Sequence, residues 1–115
     1  MIRVYIAGPY TADNPLLVFR NIKNGQLAAR KVLDSGNAPF CPFLDYQLLL
    51  QDGKEVDIQT LYDYSLSFLE VCDIVLMLPG FENSRGCKGE IEHAAKHNIP
   101  VLYVTNLKQW EGFLS

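Results

Sequence analysis

Ile74-Val75-Leu76-Met77-Leu78-Pro79-Gly80-Phe81-Glu82-Asn83-Ser84-Arg85-Gly86-Cys87-Lys88-Gly89-Glu90-Ile91-Glu92-His93-Ala94 is the stretch that decides the fold. Its first five residues form an unbroken apolar run, the pattern of a strand buried on both faces. Pro79 and Gly80 end that strand, and a short polar segment leads into a helix opening near Ser84. A strand, a turn of small and polar residues and then a helix make a common place to hold an anion, because the first helical amides lack partners. The turn offers Ser84, Arg85 and flexible Gly86, and a carboxylate, Glu90, comes about one helical turn later.

Nearer the start of the chain, Ile2 to Ala7 is a second apolar, β-branched run, ended by Gly8-Pro9. Asn14-Pro15 reads as a helix start, with asparagine as cap and proline at the first helical position. That helix is predicted to continue through Phe19, Ile22, Leu27, Val32 and Leu33 and to stop at Ser35-Gly36. Gly25 inside it costs about 1 kcal/mol relative to alanine and allows close packing on a sheet. Ala38-Pro39-Phe40 reads as a brief strand, Pro42 breaks the chain after it, and Asp52-Gly53-Lys54 reads as a polar loop tip. A second long helix is predicted from Asp57 to about Cys72, then the strand Asp73 to Leu78. The motif helix is expected to end near Asn98, with a last strand at Pro100 to Val104 and a closing helix at Leu107 to Leu114.

Strands alternating with helices predict an α/β fold: a doubly wound, Rossmann-like or flavodoxin-like, mostly parallel sheet of four to five strands with helices on both faces. Right-handed crossovers then gather Gly8-Pro9-Tyr10-Thr11, Cys41-Pro42-Phe43 and Gly80 to Gly86 at one edge of the sheet, where ligands bind.

The chain of 115 residues reads as a single domain, 1–115, long enough for a core without metal or disulfide staples. Hydrophobic residues make up 49% and charged ones 20%, an ordinary balance for a globular protein. A net charge of −3 argues against a nucleic-acid polymer as partner, since displacing counterions needs a basic face. Small anions need only local positive charge. The cysteines at 41, 72 and 87 form no metal-type spacing and read as reduced thiols. No signal-peptide pattern opens the chain, and no apolar run approaches the roughly 20 residues that cross a bilayer. A cytoplasmic location without a membrane partner is expected.

At 100° per residue, Glu90 and Glu92 lie about 200° apart on their helix, so only one faces the cleft. Glu90, His93, Ala94 and His97 share a stripe, while Ile91, Ala95 and Asn98 centre on the side expected to face the sheet. Glu90 is thus placed at the edge of the buried face, where the helix dipole keeps a carboxylate ionised, as a nucleophile requires. The same position also serves plain first-turn electrostatics, and pattern alone leaves both readings open. Glu92 is expected to face solvent. His93 and His97 stand one turn apart, a metal-binding spacing, but nothing in the sequence completes a site, and no metal is expected. Cys87, beside Lys88 at a helix start, lacks the histidine or acid of a cysteine enzyme. Phe40, Phe43, Tyr46, Tyr62 and Tyr64 divide between core and a base-stacking platform. Tyr5 lies in a buried strand, where its hydroxyl needs a partner.

Three segments together resemble the nucleoside 2-deoxyribosyltransferase superfamily, over nearly the whole chain. They are Val4-Tyr5-Ile6-Ala7-Gly8-Pro9, Leu66-Ser67-Phe68-Leu69-Glu70-Val71-Cys72-Asp73, and the spaced set Ser84, Gly86, Glu90 and Ala94. The resemblance implies that Glu90 attacks the anomeric carbon of a 2-deoxyribosyl group, with Tyr5 beside it, and that a glycosyl-enzyme passes to water or to another base. It implies that Gly8, Pro9 and Tyr10 line the sugar side, and that Ser84, Arg85 and Gly86 cradle a phosphate. Transferases of the superfamily tend to carry an acid at the position of Ser84, whereas the related deoxynucleoside 5′-monophosphate N-glycosidases carry serine.

The expected function is therefore hydrolysis of the N-glycosidic bond of 2′-deoxynucleoside 5′-monophosphates. The alternatives are base exchange by a nucleoside 2-deoxyribosyltransferase, or a nucleotide-binding module with little catalysis. The expected partner is a small-molecule nucleoside or nucleotide, no cofactor is expected, and the resemblance implies a homodimer or larger homo-oligomer with Trp110 and Phe113 as contacts. Two residues depart from the superfamily pattern. Ser65 stands where an acidic residue positions substrate and assists departure of the base, a contribution of about 10²-fold or more that serine does not supply as an acid. Asp63, two residues earlier, points elsewhere on the same helix, and Asp45 in the loop after the second strand is the candidate replacement. Glu92 replaces a small glycine.

Overall fold

A computed structural model describes residues 1–10, 12–42 and 57–104. The expectations for Thr11, Phe43, Asp45, Tyr46, the 52–54 loop tip, the closing helix, Trp110 and Phe113 fall outside the described residues. The order of elements is β1 (Arg3–Ala7), α1 (Pro15–Asp34), β2 (Ala38–Phe40), α2 (Ile58–Leu69), β3 (Ile74–Met77), a 3-10 turn (Phe81–Asn83), α3 (Arg85–Lys96) and β4 (Val101–Tyr103).

The four strands form one parallel sheet in the order β2-β1-β3-β4. Tyr5 pairs with Phe40 on one side and Val75 on the other, and Leu76 pairs with Leu102. The chain leaves β1 in one direction to build β2 and returns on the other side to build β3. The strand order therefore reverses between β1 and β3, which makes their carboxyl ends the switch point of the fold. At the opposite edge, Asp73 ties the two central strands together. Its Oδ2 accepts from the Arg3 N–H, and its own N–H donates to the Arg3 carbonyl, both at 2.8 Å.

Alternation along the strands divides the core into two layers. Val4, Ile6, Leu76 and Leu78 pack with Ala28 and Val32 of α1 on one face. Tyr5, Ala7, Val75 and Met77 pack on the other with Leu69 of α2 and with Cys87 and Ala94 of α3. Gly25 is buried on α1, in keeping with close approach of that helix to the sheet.

Local signals fix the helix ends. The Asn14 Oδ1 accepts from the Leu17 N–H at 3.0 Å, with Pro15 opening α1. Asp57 caps α2 through the Gln59 N–H. Both α1 and α3 close with paired reverse hydrogen bonds around a left-handed residue. Gly36 (φ +89°) fills that role in one and Asn98 (φ +57°), the non-glycine type best suited to it, in the other. The helix predicted to reach about Cys72 ends earlier, at Leu69, with the Cys72 N–H turned back onto the Leu69 carbonyl at 3.0 Å.

Candidate active site

The loops leaving β1 and β3 lock together at the switch point. Gly8 is buried, and a side chain there would press within 3.0 Å of the Leu78 Cβ. Gly80 holds φ +92°, and a Cβ on it would lie 3.2 Å from the Pro9 ring. Gly8 and Pro9 therefore form a tight floor under the 3-10 turn that delivers Ser84.

Ser84 caps α3, its Oγ accepting from the Cys87 N–H at 3.2 Å. The acceptor side of this hydroxyl serves the helix, and the phosphate role expected for it must be played from the cap position. Arg85, the next residue, is exposed. Gly86 turns its carbonyl towards α2, where the Tyr62 hydroxyl donates to it at 3.2 Å.

Cys87, Glu90 and Ala94 form the buried stripe of α3. This corrects the helical phase read from sequence. Ala95 and Asn98, expected to face the sheet, are exposed, and Ile91 sits on the flank. Glu90 lies in the centre of the buried face, 7% exposed, not at its edge. Its ionisation also departs from expectation. Burial pushes the carboxyl up to about 7, while the neighbouring Tyr5 hydroxyl favours the ionised form and pulls the other way. Glu90 is the sixth residue of α3, beyond the first turn where the helix dipole acts strongly.

Tyr5 is fully buried on β1, on the face that carries α2 and α3, so its hydroxyl reaches Glu90 from the sheet below. Ser65, at 5% exposure, is the other buried polar residue among those described. It projects from α2 on the same stripe as Leu69, into the layer that holds Tyr5. Asp63 is exposed and accepts from Gln59 on its own helix at 2.9 Å, so it does not replace the missing acid. Tyr10 packs with the α1-side cluster, and its carbonyl accepts from Asn21 at 3.2 Å. Its ring belongs to the layer opposite Glu90. Glu92 is exposed on the helix flank away from the buried stripe, as expected.

Two groups escaped the sequence reading of the site. Tyr62 bridges from α2 to the opening of α3, and a Cβ on Gly89 would overlap its hydroxyl. Desolvation, and next the charge of Glu90, raise the Tyr62 phenol above its ordinary range. A glycine inside a helix was the available signal for this close approach. Glu70, at the far end of α2, meets His93 and His97, with Oε1 2.8 Å from His93 Nε2. It supplies the third ligand-type group that spacing alone did not reveal.

The aromatic residues split. Phe40 stacks on Phe68 (centroids 4.6 Å, planes 10° apart) and contacts Tyr5 and Tyr64, joining β1, β2 and α2. Cys87 is fully buried with its thiol pushed up to about 11 by desolvation, which makes it a packing residue.

A buried carboxylate beside a tyrosine at the switch point of a doubly wound sheet is the arrangement found here, and its fold has known counterparts. The chain superposes on a 2-deoxyribosyltransferase from Bacillus psychrosaccharolyticus with a TM-score of 0.64 at 16% identity, covering 92% of this chain and 78% of that one. A 2-deoxyribosyltransferase from Leishmania mexicana gives a TM-score of 0.60 at 17% identity, covering 90% of this chain and 63% of that one. The class is thus an α/β domain with the fold of these enzymes. No curated protein sequence is significantly similar to the chain. The family is defined by sequence: residues 2–104 match the model described as a domain of unknown function, DUF7768, and the chain belongs to that family.

Proposed function

We propose that the chain is an enzyme of the nucleoside 2-deoxyribosyltransferase superfamily that hydrolyses the N-glycosidic bond of 2′-deoxynucleoside 5′-monophosphates. The observation that carries this reading is Glu90, a buried carboxylate beside Tyr5 at the sheet's switch point. In its ionised form one Glu90 oxygen bonds to C1′ as the glycosidic bond breaks, and the bonding pair leaves with the base, which gains a proton. The proton on the base comes from solvent. Water then attacks C1′ and gives up a proton to solvent, Glu90 is released as the carboxylate, and the products are free base and deoxyribose 5-phosphate. Charge developing on the sugar is stabilised by the same carboxylate.

Burial favours the protonated carboxyl, so the ionised form that attacks C1′ grows as pH rises through about 7. The choice of a 5′-phosphate rests on Ser84, Arg85 and the opening amides of α3, none of which repels an anion. Ser65 leaves base departure without a carboxylic acid at the buried position of α2, since Asp63 on the same helix is exposed, so turnover is expected to be slow.

Base exchange is the second reading, favoured by the fold shared with two 2-deoxyribosyltransferases. Incubation with each deoxynucleoside and its monophosphate, with and without a second free base, separates the two. Free base with deoxyribose 5-phosphate supports hydrolysis, and a new nucleoside supports exchange. Thermal stabilisation by a monophosphate without any product would reduce the protein to a binding module.

A further inference from the structure

Glu70, His93 and His97 gather where α2 and α3 end, away from the Ser84 opening of α3. Glu70 caps the C-terminus of α2, His93 lies in the last turn of α3, and His97 caps that helix. One donor atom from each lies within 4.8 Å of the others, and all three side chains are partly exposed. The imidazole rings face each other with centroids 4.5 Å apart.

The hydrogen bonding of His97 defines what this cluster lacks. Its Nδ1 lies 2.9 Å from the His93 carbonyl, which only accepts, so Nδ1 carries the proton. In the neutral ring, Nε2 then presents its lone pair to the Glu70 Oε1, 3.8 Å away. Two lone pairs facing across that gap favour a cation between them, either a proton on the ring or a metal ion. A backbone carbonyl that fixes the ring and its tautomer is also the usual support behind a metal-bound histidine. Both helices end here, so their C-terminal carbonyls add to the pull on a cation.

We propose that Glu70, His93 and His97 form a binding site for a divalent first-row transition cation, zinc above all, completed by water. Two imidazoles and one carboxylate are a donor set suited to such an ion. Ligands bound at about 2.0–2.1 Å in tetrahedral geometry stand roughly 3.3 Å apart. The 2.8 Å and 3.8 Å distances from Glu70 to His93 and His97 bracket that value, and the remaining spacing, within 4.8 Å, adjusts by side-chain rotation. The His93 proton now directed at Glu70 moves to Nδ1 by tautomer exchange, freeing Nε2 to bind. Occupied, the site staples α2 to α3, the helices that carry Ser65, Tyr62 and Glu90. It does not depend on the reaction proposed for Glu90.

The test is calorimetric titration of the untagged protein with zinc chloride, paired with thermal melts and with cobalt(II) absorption as a report on coordination. One ion per chain is expected, with a melting temperature raised by about 5 °C or more at saturation and restored by a chelator. His97→Gln and Glu70→Gln should each weaken binding at least about tenfold. The melting temperature of each variant without zinc reports whether it folds. No saturable binding to the parent protein overturns the proposal. So does undiminished binding to a folded His93→Ala/His97→Ala variant, which would place the ion on other groups such as the thiols.

Discussion

The two faces of the sheet are built from alternate residues of the same strands, yet they carry different kinds of interior. Val4 and Ile6 point to a layer with α1 whose buried members are apolar. Tyr5 and Ala7 point to the layer with α2 and α3, where Glu90 and Ser65 are buried as well. An apolar layer stabilises by area removed from water, whereas a buried carboxyl costs stability that only a functional return explains. A single strand can thus divide its labour residue by residue: β1 anchors the core with one set of side chains and lies against the buried carboxyl with the other.

Substitutions on each face test that division. The largest effect is expected from Glu90→Ala, which should lower hydrolysis of a deoxynucleoside monophosphate by at least about 10⁴-fold while the circular dichroism spectrum is kept. Retention of full activity would move the chemistry elsewhere.

Next comes a stability effect of opposite character. The folded value of about 7 for Glu90 lies above its ordinary 4.5, so the folded state holds this proton more tightly. That contribution is fully present below pH 4.5 and is lost as pH rises through 7. Glu90→Gln removes the dependence. Its stability relative to the parent protein should improve by about 3 kcal/mol between pH 4 and pH 8, measured by denaturant unfolding. A flat difference between the two proteins would mean that Glu90 is solvated.

On the opposite face, Val32→Ala should cost about 2 kcal/mol in the same assay and leave turnover per folded molecule unchanged. A loss of turnover there would show that the two layers are not separable. The smallest effect belongs to Tyr5→Phe. Activity should rise with pH through about 7 in the parent enzyme, as Glu90 ionises. Without the hydroxyl that favours the anion, the midpoint should move up by about one unit.

Much of the fold was legible because its signals are local. Asn14-Pro15, Ser35-Gly36 and the apolar runs of β1 and β3 mark element ends through backbone chemistry that needs no distant partner. The choice of Glu90 over Glu92 was legible too, since about 200° separates them. The phase of α3 was not. Its inward stripe is made of cysteine, glutamate and alanine, so the one large apolar residue, Ile91, drew the expected face about one position too far. Burial then overrode the helix dipole at Glu90, an outcome that depends on the sheet beneath it. Tyr10 carried no sequence mark of the layer its ring would join. Glu70 was hidden for the same reason: 23 residues separate it from His93, and only the packing of α2 beside α3 brings them together.

Tyr62 rests over Gly89 with no room for a side chain beneath it. The two positions are therefore bound in descent as well as in space. A tyrosine at 62 in this position excludes a side chain at 89, and growth at 89 requires retreat of the hydroxyl at 62. A side chain added at 89 should be tolerated only where position 62 has lost its hydroxyl, so position 62 serves as a marker for how closely α2 approaches the helix that carries Glu90.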